Sequence, residues 1–378
     1  TGASNTAVGS GSLDALTTGG ANTSVGKDAL SSVTTGSNNT AVGQDSLVAN
    51  SGSSNTGVGR NSLAANTTGA NNVAVGANAL DANTTADYNT AVGQNALGNN
   101  TTGTRNTALG ALALDASTTT NDNTAIGYAA LTANTSQNNT AVGRSALAAS
   151  TTGSNNTAVG RLAMANADVT GTNNDAIGYQ SLLANTTGSN NDSMGSNSMV
   201  ANTTGNNNIA IGSDTLKTNT TGNHNVAIGL NALETNNADN NVAIGVDAGR
   251  LNSTGTANVF IGRTAGENNS TASNNTAVGY AALTVNTTGA NNTAVGYAAL
   301  DATTTGSENT AVGSNALSAN TTGYQNVAMG RYAGNLITDG HENTAIGYRS
   351  LSQCTTGDHN TAIGHDALEQ VSTGSYNT

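Results

Sequence analysis

The chain has 378 residues, a net charge of −12, 8% charged side chains, no Pro, no Trp and one Phe. Average soluble proteins carry roughly 25% charged residues. Solubility therefore rests here on Asn, Thr, Ser and Gly, and the acidic balance excludes a phosphate-tracking nucleic-acid surface, which needs clustered Lys and Arg. One Cys excludes a disulfide framework and a Cys-rich metal cluster, and no run of ~18 apolar residues offers a membrane span.

So little charge and so few aromatics could also describe a disordered chain. The regular placing of the apolar residues argues for order. Glycines ending an NTAVG-like pentapeptide recur from Gly9, Gly26 and Gly43 through Gly212 and Gly229 to Gly364; there are 22 of them, spaced by 17 residues except for three steps of 16 and one of 18. The consensus N-T-A-V-G-x-x-A-L-x-A-N-T-T-G-x-N covers residues 1–378 without a composition shift, so a single continuous array is expected. Asn, Thr and Gly are poor helix formers. Short Thr/Val/Ile segments between Gly and Asn clusters read as strands and turns. The fold expected is all-β, a parallel β-solenoid (a β-roll or β-helix) of about 22 coils with a 17-residue repeat. At ~3.3 Å per residue one coil traces about 56 Å, and coils stacked ~4.8 Å apart predict a rod on the order of 100 Å.

Numbering the repeat from the Asn of NTAVG, each position suggests a role. Position 1 is Asn throughout (Asn5, Asn22, Asn39, Asn55, Asn72, Asn208, Asn225, Asn343 and Asn360, among others), more uniform than the apolar column beside it. An amide with two donors and an acceptor can bond from coil to coil, so a buried Asn ladder is expected. Positions 2 and 4, mostly Thr and Val or Ile, are expected to share the inward face. That would place Asp175 and Asp192, in adjacent coils, awkwardly inside. Position 3, usually Ala, would then face out, with Phe260 too large for an interior sized for Ala, and the Ala face would meet a partner surface. The Gly of position 5 marks a corner, where φ > 0 or close approach is needed. Position 6 alternates among Tyr, Arg and small polar residues, a mixture that suits binding surfaces and surface decoration alike. Leu at position 9 is the other main core column. Position 12 interchanges Asn (Asn66, Asn83, Asn100, Asn202, Asn219, Asn286) with Leu16, Val33, Ile337, Cys354 and Val371, which points to a second buried Asn ladder.

The phrases NNVAIG (240–245), NHNVAIG (223–229) and NTAIGYAAL (123–131) resemble the head repeats of trimeric autotransporter adhesins, and equally the repeats of phage tail fibres. The resemblance implies a parallel β-roll with chains packed side by side. Two departures stand out: the 17-residue repeat is longer than the usual adhesin repeat, and no neck, coiled-coil stalk or membrane-anchor barrel follows.

Chemistry is hard to find in this pattern. His224, His341, His359 and His365 read as surface turn residues, and the His pairs nearest in sequence occupy different positions, so no stacked pair is expected. Acids do not recur at fixed positions as a calcium-binding roll requires. No catalytic, cofactor or metal site is expected, and Cys354 reads as an inert buried thiol. Sequons begin at Asn38, Asn155 and Asn291, the candidate glycan acceptors on the surface. Those beginning at position 12 would be hidden if that column is buried.

The function expected is structural and non-enzymatic: a rigid extracellular filament, fibre shaft or adhesin rod at a cell or virion surface. It would associate with itself laterally or head to tail, with glycans as a further partner, and without nucleic acid or membrane insertion. The alternative is an ice-binding or other surface-binding solenoid, for which the Thr of position 2 would have to face out. The chain begins on Thr1 and carries no terminal cap, which suggests a segment of something longer or an end covered by another copy.

Overall fold

A computed structural model describes residues 2–165 and 168–378. It is a parallel β-solenoid with 22 three-residue strands and, among the described residues, no helix. The chain forms two compact units, Thr1–Ser189 and Asn190–Thr378. The first holds β1 (Thr6–Val8) through β11 (Asp175–Ile177), the second β12 (Asp192–Met194) through β22 (Thr361–Ile363). Within each unit a strand pairs in parallel register with the strand one repeat later, as Thr6, Ala7 and Val8 do with Thr23, Ser24 and Val25.

Backbone pairing continues around the coil beyond the strands. Asp28 N donates to Ser10 O at 2.9 Å, Leu30 N to Ser46 O at 3.1 Å and Thr17 N to Thr34 O at 2.9 Å. Turns that would otherwise leave amides orphaned are thus bonded from layer to layer.

The strands face the opposite way from the sequence expectation. Position 3 is buried in coil after coil, and positions 2 and 4 face out: in Thr40–Val42 the central Ala41 is fully buried and its neighbours are not. Period-two alternation explains this. With the Asn of position 1 inside, positions 3 and 5 must follow it inward, so a buried Asn ladder and an inward Thr were never compatible. The interior beside the strand is narrow, which is why position 3 is Ala. Asp175 and Asp192 consequently lie exposed on the outer face.

Phe260 was expected outside and is instead 0% exposed. Its space comes from position 9, which is Gly in its own coil (Gly266) and in the coil before it (Gly249). A Cβ on Gly249 would lie 2.6 Å from Phe260 Cδ2, and one on Gly266 2.2 Å from Phe260 Cδ1. One ring replaces two leucines. Gly334 repeats the exchange on a smaller scale, since a Cβ there would lie 3.0 Å from Cδ1 of Ile337.

Three non-glycine positions per coil, 7, 9 and 17, are left-handed. Asn and Asp tolerate this conformation, which accounts for Asn38, Asn78 and Asp45 (φ 60, 55 and 56°). The Leu column does not tolerate it easily, yet Leu30, Leu80 and Leu216 sit at φ 50, 49 and 45° and are fully buried. The strain is of order 1–2 kcal/mol per residue. It is offset by burying a Leu side chain, about 1.5–3 kcal/mol.

Every shortening of the repeat falls at one corner. Asn66 Nδ2 donates to the carbonyl of Gly69, three residues on; in the 16-residue coils Asn50, Asn134 and Asn236 reach Gly52, Ser136 and Ala238, two residues on. The missing residue therefore lies between positions 12 and 15. In the 18-residue coil Val169 pairs with Ser150 of position 12 and is fully buried. It takes the inward place that Asn fills elsewhere.

Candidate functional site

Inside the solenoid the expected Asn ladder is present. From Asn22 to Asn360 the Asn of position 1 is buried, including Asn39, Asn55, Asn72, Asn208, Asn225 and Asn343; Asn5 is half-buried. Each side chain is a two-ended clamp. Asn208 Oδ1 accepts from the backbone N of Asn225 at 3.0 Å, and Asn208 Nδ2 donates to Gly222 O at 2.9 Å. No other side chain of this size offers that acceptor and donor together, so the column tolerates no substitute.

Position 12 holds the second ladder, amide to amide. Asn66 Nδ2 donates to Asn50 Oδ1 at 2.6 Å, Asn83 to Asn66 at 2.8 Å and Asn100 to Asn83 at 2.9 Å. A second run links Asn252, Asn269 and Asn286 to the amide before each, starting from Asn236. Where a run stops, its last oxygen is stranded: Asn100, Asn286 and Asn320 precede Ser117, Thr303 and Ile337, and their Oδ1 atoms find no partner. Asn-Thr-Thr sequons at position 12 are therefore hidden. Asn38, Asn155 and Asn291 lie exposed.

The glycines of position 5 turn a corner. Gly9, Gly26, Gly43, Gly212, Gly229 and Gly364 have φ of 129, 143, 135, 133, 129 and 129°. The neighbouring coil also presses on this column, since a Cβ on Gly212 would lie 2.7 Å from Gly229 O.

Outside, the sheet presents two columns of β-branched side chains. In the second unit four successive strands, β13 (Ile209–Ile211), β14 (Val226–Ile228), β15 (Val242–Ile244) and β16 (Val259–Ile261), pair in register with both outward residues aliphatic. Leu230 and Val246, at position 6 of the same coils, are 46% and 39% exposed and widen the patch. Elsewhere position 2 is mostly Thr, giving outward Thr-x-Val rows such as Thr276–Val278 and Thr293–Val295.

Two edges flank this face. Position 6, past the corner Gly, carries exposed Arg and Tyr: Arg161 lies 5.7 Å from the ring of Tyr179, Arg263 5.9 Å from that of Tyr280, and Tyr280 stacks on Tyr297 at 5.5 Å. Positions 16 and 17 form the other edge. At position 16, Ser, Asn or Asp caps the preceding coil, as Asp87 accepts from Ala70 N at 2.7 Å. Here His341 and His359, expected apart, meet edge to face at 5.6 Å between Tyr324 and Tyr376. Positions 16 and 17 are neighbours around the coil, so different numbering does not keep the rings apart. Asp358 lies 2.9 Å from His341 Nδ1 and Glu342 3.0 Å from His359 Nε2.

Burial pushes the carboxyls of Asp81, Asp115 and Asp301 above the usual range, and Asp115 adds repulsion at Asp81 across the notch left by Gly98. Burial likewise raises the Cys354 thiol, which is free and enclosed. Among the described residues no three His, Cys, Asp or Glu converge as a metal centre, and no helix is long and apolar enough to cross a membrane.

Compared with known proteins, the chain matches no family model and no curated relative.

Proposed function

We propose that this chain is a non-enzymatic structural solenoid of an extracellular fibre or adhesin, which associates laterally with further copies of itself through the outer sheet face. The supporting observation is the aliphatic patch on β13–β16. Contiguous exposed apolar surface of this kind marks an interaction site, and Tyr and Arg beside it are the side chains that anchor interfaces. The contact lies on positions 2 and 4, where the sequence had suggested the Ala column. The resemblance of NNVAIG and NTAIGYAAL to adhesin-head and tail-fibre repeats supports the same role.

Sedimentation of the wild-type chain should give a multiple of the 37.0 kDa protomer, and Ile228→Asp should return it to the protomer with its circular dichroism unchanged. A wild-type chain that stays monomeric at high concentration sinks the proposal.

A second reading gains from the same face. Thr at position 2 does point outward, in rows with Val at position 4, as a water-ordering surface requires. Ice binding would appear as thermal hysteresis that is lost when Thr276, Thr293 and Thr310 are replaced by Lys. Absence of hysteresis in the wild type removes it.

A further inference from the structure

The charges of this acidic chain are sorted by edge. Six of the 10 basic residues, Lys27, Arg60, Arg144, Arg161, Arg263 and Arg331, stand at position 6, and none of the 22 acids does. All six are exposed, and the five arginines among them make no ion pair among the described residues, whereas Arg105, Lys217, Arg250 and Arg349, off this edge, are each paired with a carboxylate. The opposite edge of the same face, positions 16 and 17, carries Asp87, Asp122, Asp239, Glu308, Glu342 and Asp358 against the single Arg105. The sheet face is thus apolar in the middle, positive along one side and negative along the other, and the sign holds in both units.

We infer that copies of this chain pack through the sheet face side by side and pointing the same way, in register, with the position-6 edge of one against the position-16/17 edge of the next. This rests on the lateral association proposed above and adds its direction. When neighbouring axes point the same way, the positive edge of one copy meets the negative edge of the other. When they point oppositely, positive meets positive and negative meets negative, which costs affinity and slows encounter. Register follows from level. Arg331 lies in the coil of β20 (Val327–Met329), and Glu342 lies beside the start of β21 (Thr344–Ile346), one coil away. Arg263, in the coil of β16, and Asp239, beside the start of β15, are offset by one coil in the opposite sense. An in-register neighbour therefore brings Arg144, Arg263 and Arg331 each within about 5 Å, axially, of an opposing carboxylate, while Arg60 and Arg161 lie two coils, about 10 Å, from theirs. Each contact joins two different patches, so the interface is heterologous and can close into a ring.

The test uses the full chain with Cys354→Val, since Val already occupies position 12 as Val33 and Val371. A dye-accepting cysteine is placed at Thr204 or Thr356, exposed position-14 residues of the second unit lying nine coils apart, about 43 Å. Mixed donor- and acceptor-labelled copies should show stronger transfer between Thr356→Cys and Thr356→Cys than between Thr204→Cys and Thr356→Cys. In parallel, Arg331→Glu should weaken assembly at least about tenfold, and adding Glu342→Arg in the same chain should restore it. An assembled species with the transfer order reversed, or with no same-site transfer, overturns the inferred direction and leaves lateral association standing. So does failure of the second substitution to rescue. A chain that never assembles overturns both.

Discussion

Thr303 shows what a single residue does to a ladder. It stands between Asn286, whose Oδ1 has no partner, and Asn320, whose Nδ2 bonds only Gly323 O, at 3.2 Å; its own Oγ1 is also unpartnered. Thr303→Asn should extend the Asn236–Asn286 run to Asn320, satisfy those atoms and raise stability by about 1–3 kcal/mol, visible as a higher melting temperature. An unchanged or lower melt would mean that the stranded oxygens cost nothing. The converse change, Asn208→Ala, removes both ends of a clamp and should cost about 1–3 kcal/mol. Asn197→Ala, at half-exposed position 7, should cost less, and equal losses in denaturant melts would contradict the ladder's role. Which residues can be read from sequence follows from the same chemistry. Asn at position 1 and Gly at position 5 admit no substitute, so their uniformity announces them, and mixing Asn with Leu, Val and Ile betrays position 12 as inward. Thr and Val are acceptable on either side of a strand, and Ala is uninformative by itself. The facing of positions 2 to 4 was legible only by counting inward from the Asn ladder.

Phe260 with the two glycines that flank its ring is an element-scale unit, two adjacent coils sharing one packing solution. Phe260→Ala alone should leave a void and cost about 3–5 kcal/mol. Adding Gly249→Leu and Gly266→Leu rebuilds the usual Ala–Leu layer, and the backbone there already has the φ of 57 and 58° that the Leu column adopts. The triple variant should recover most of the loss in thermal melts. Failure to recover would mean that the ring is needed for more than volume. From sequence alone Phe260 looked like an outward residue because the compensation lies at another position, in its own coil and in the one before. A substitution such as Ala277→Gln, on the fully buried position 3, should disrupt the coil itself. The Thr pair of positions 13 and 14 is permissive by contrast: deleting Thr288 makes a 16-residue coil like that of Asn50–Gly52 and should leave the circular dichroism intact. Deleting Ala281 shifts the Leu column out of phase and should abolish soluble expression.

For the molecule as a whole, repetition makes stability a sum of coils and of contacts between adjacent coils. Excising one complete repeat, residues 276–292, should therefore leave a folded chain with a slightly smaller unfolding enthalpy and little change in melting temperature. A large fall would show that coils depend on partners beyond their neighbours. The fold class and coil period were legible from the spacing of glycines, because a repeat that cannot bury itself alone must stack. The proposed interaction surface was not, because it is made by columns: neither the aliphatic run across β13–β16 nor the segregation of Arg from Asp and Glu is visible until residues a repeat apart stand side by side.

The corner that absorbs length changes has a consequence for heredity. In a gene of near-identical repeats, slipped copying must be frequent. A loss of one codon within the Thr-Thr pair alters only the span between the second Asn column and its carbonyl partner, while misalignment by a full repeat adds or removes one layer. Both products keep every inward column in phase. Lineages carrying such a gene can vary its length in steps of one coil without searching for a new fold, and selection is left to act on the face and edges that each added layer extends.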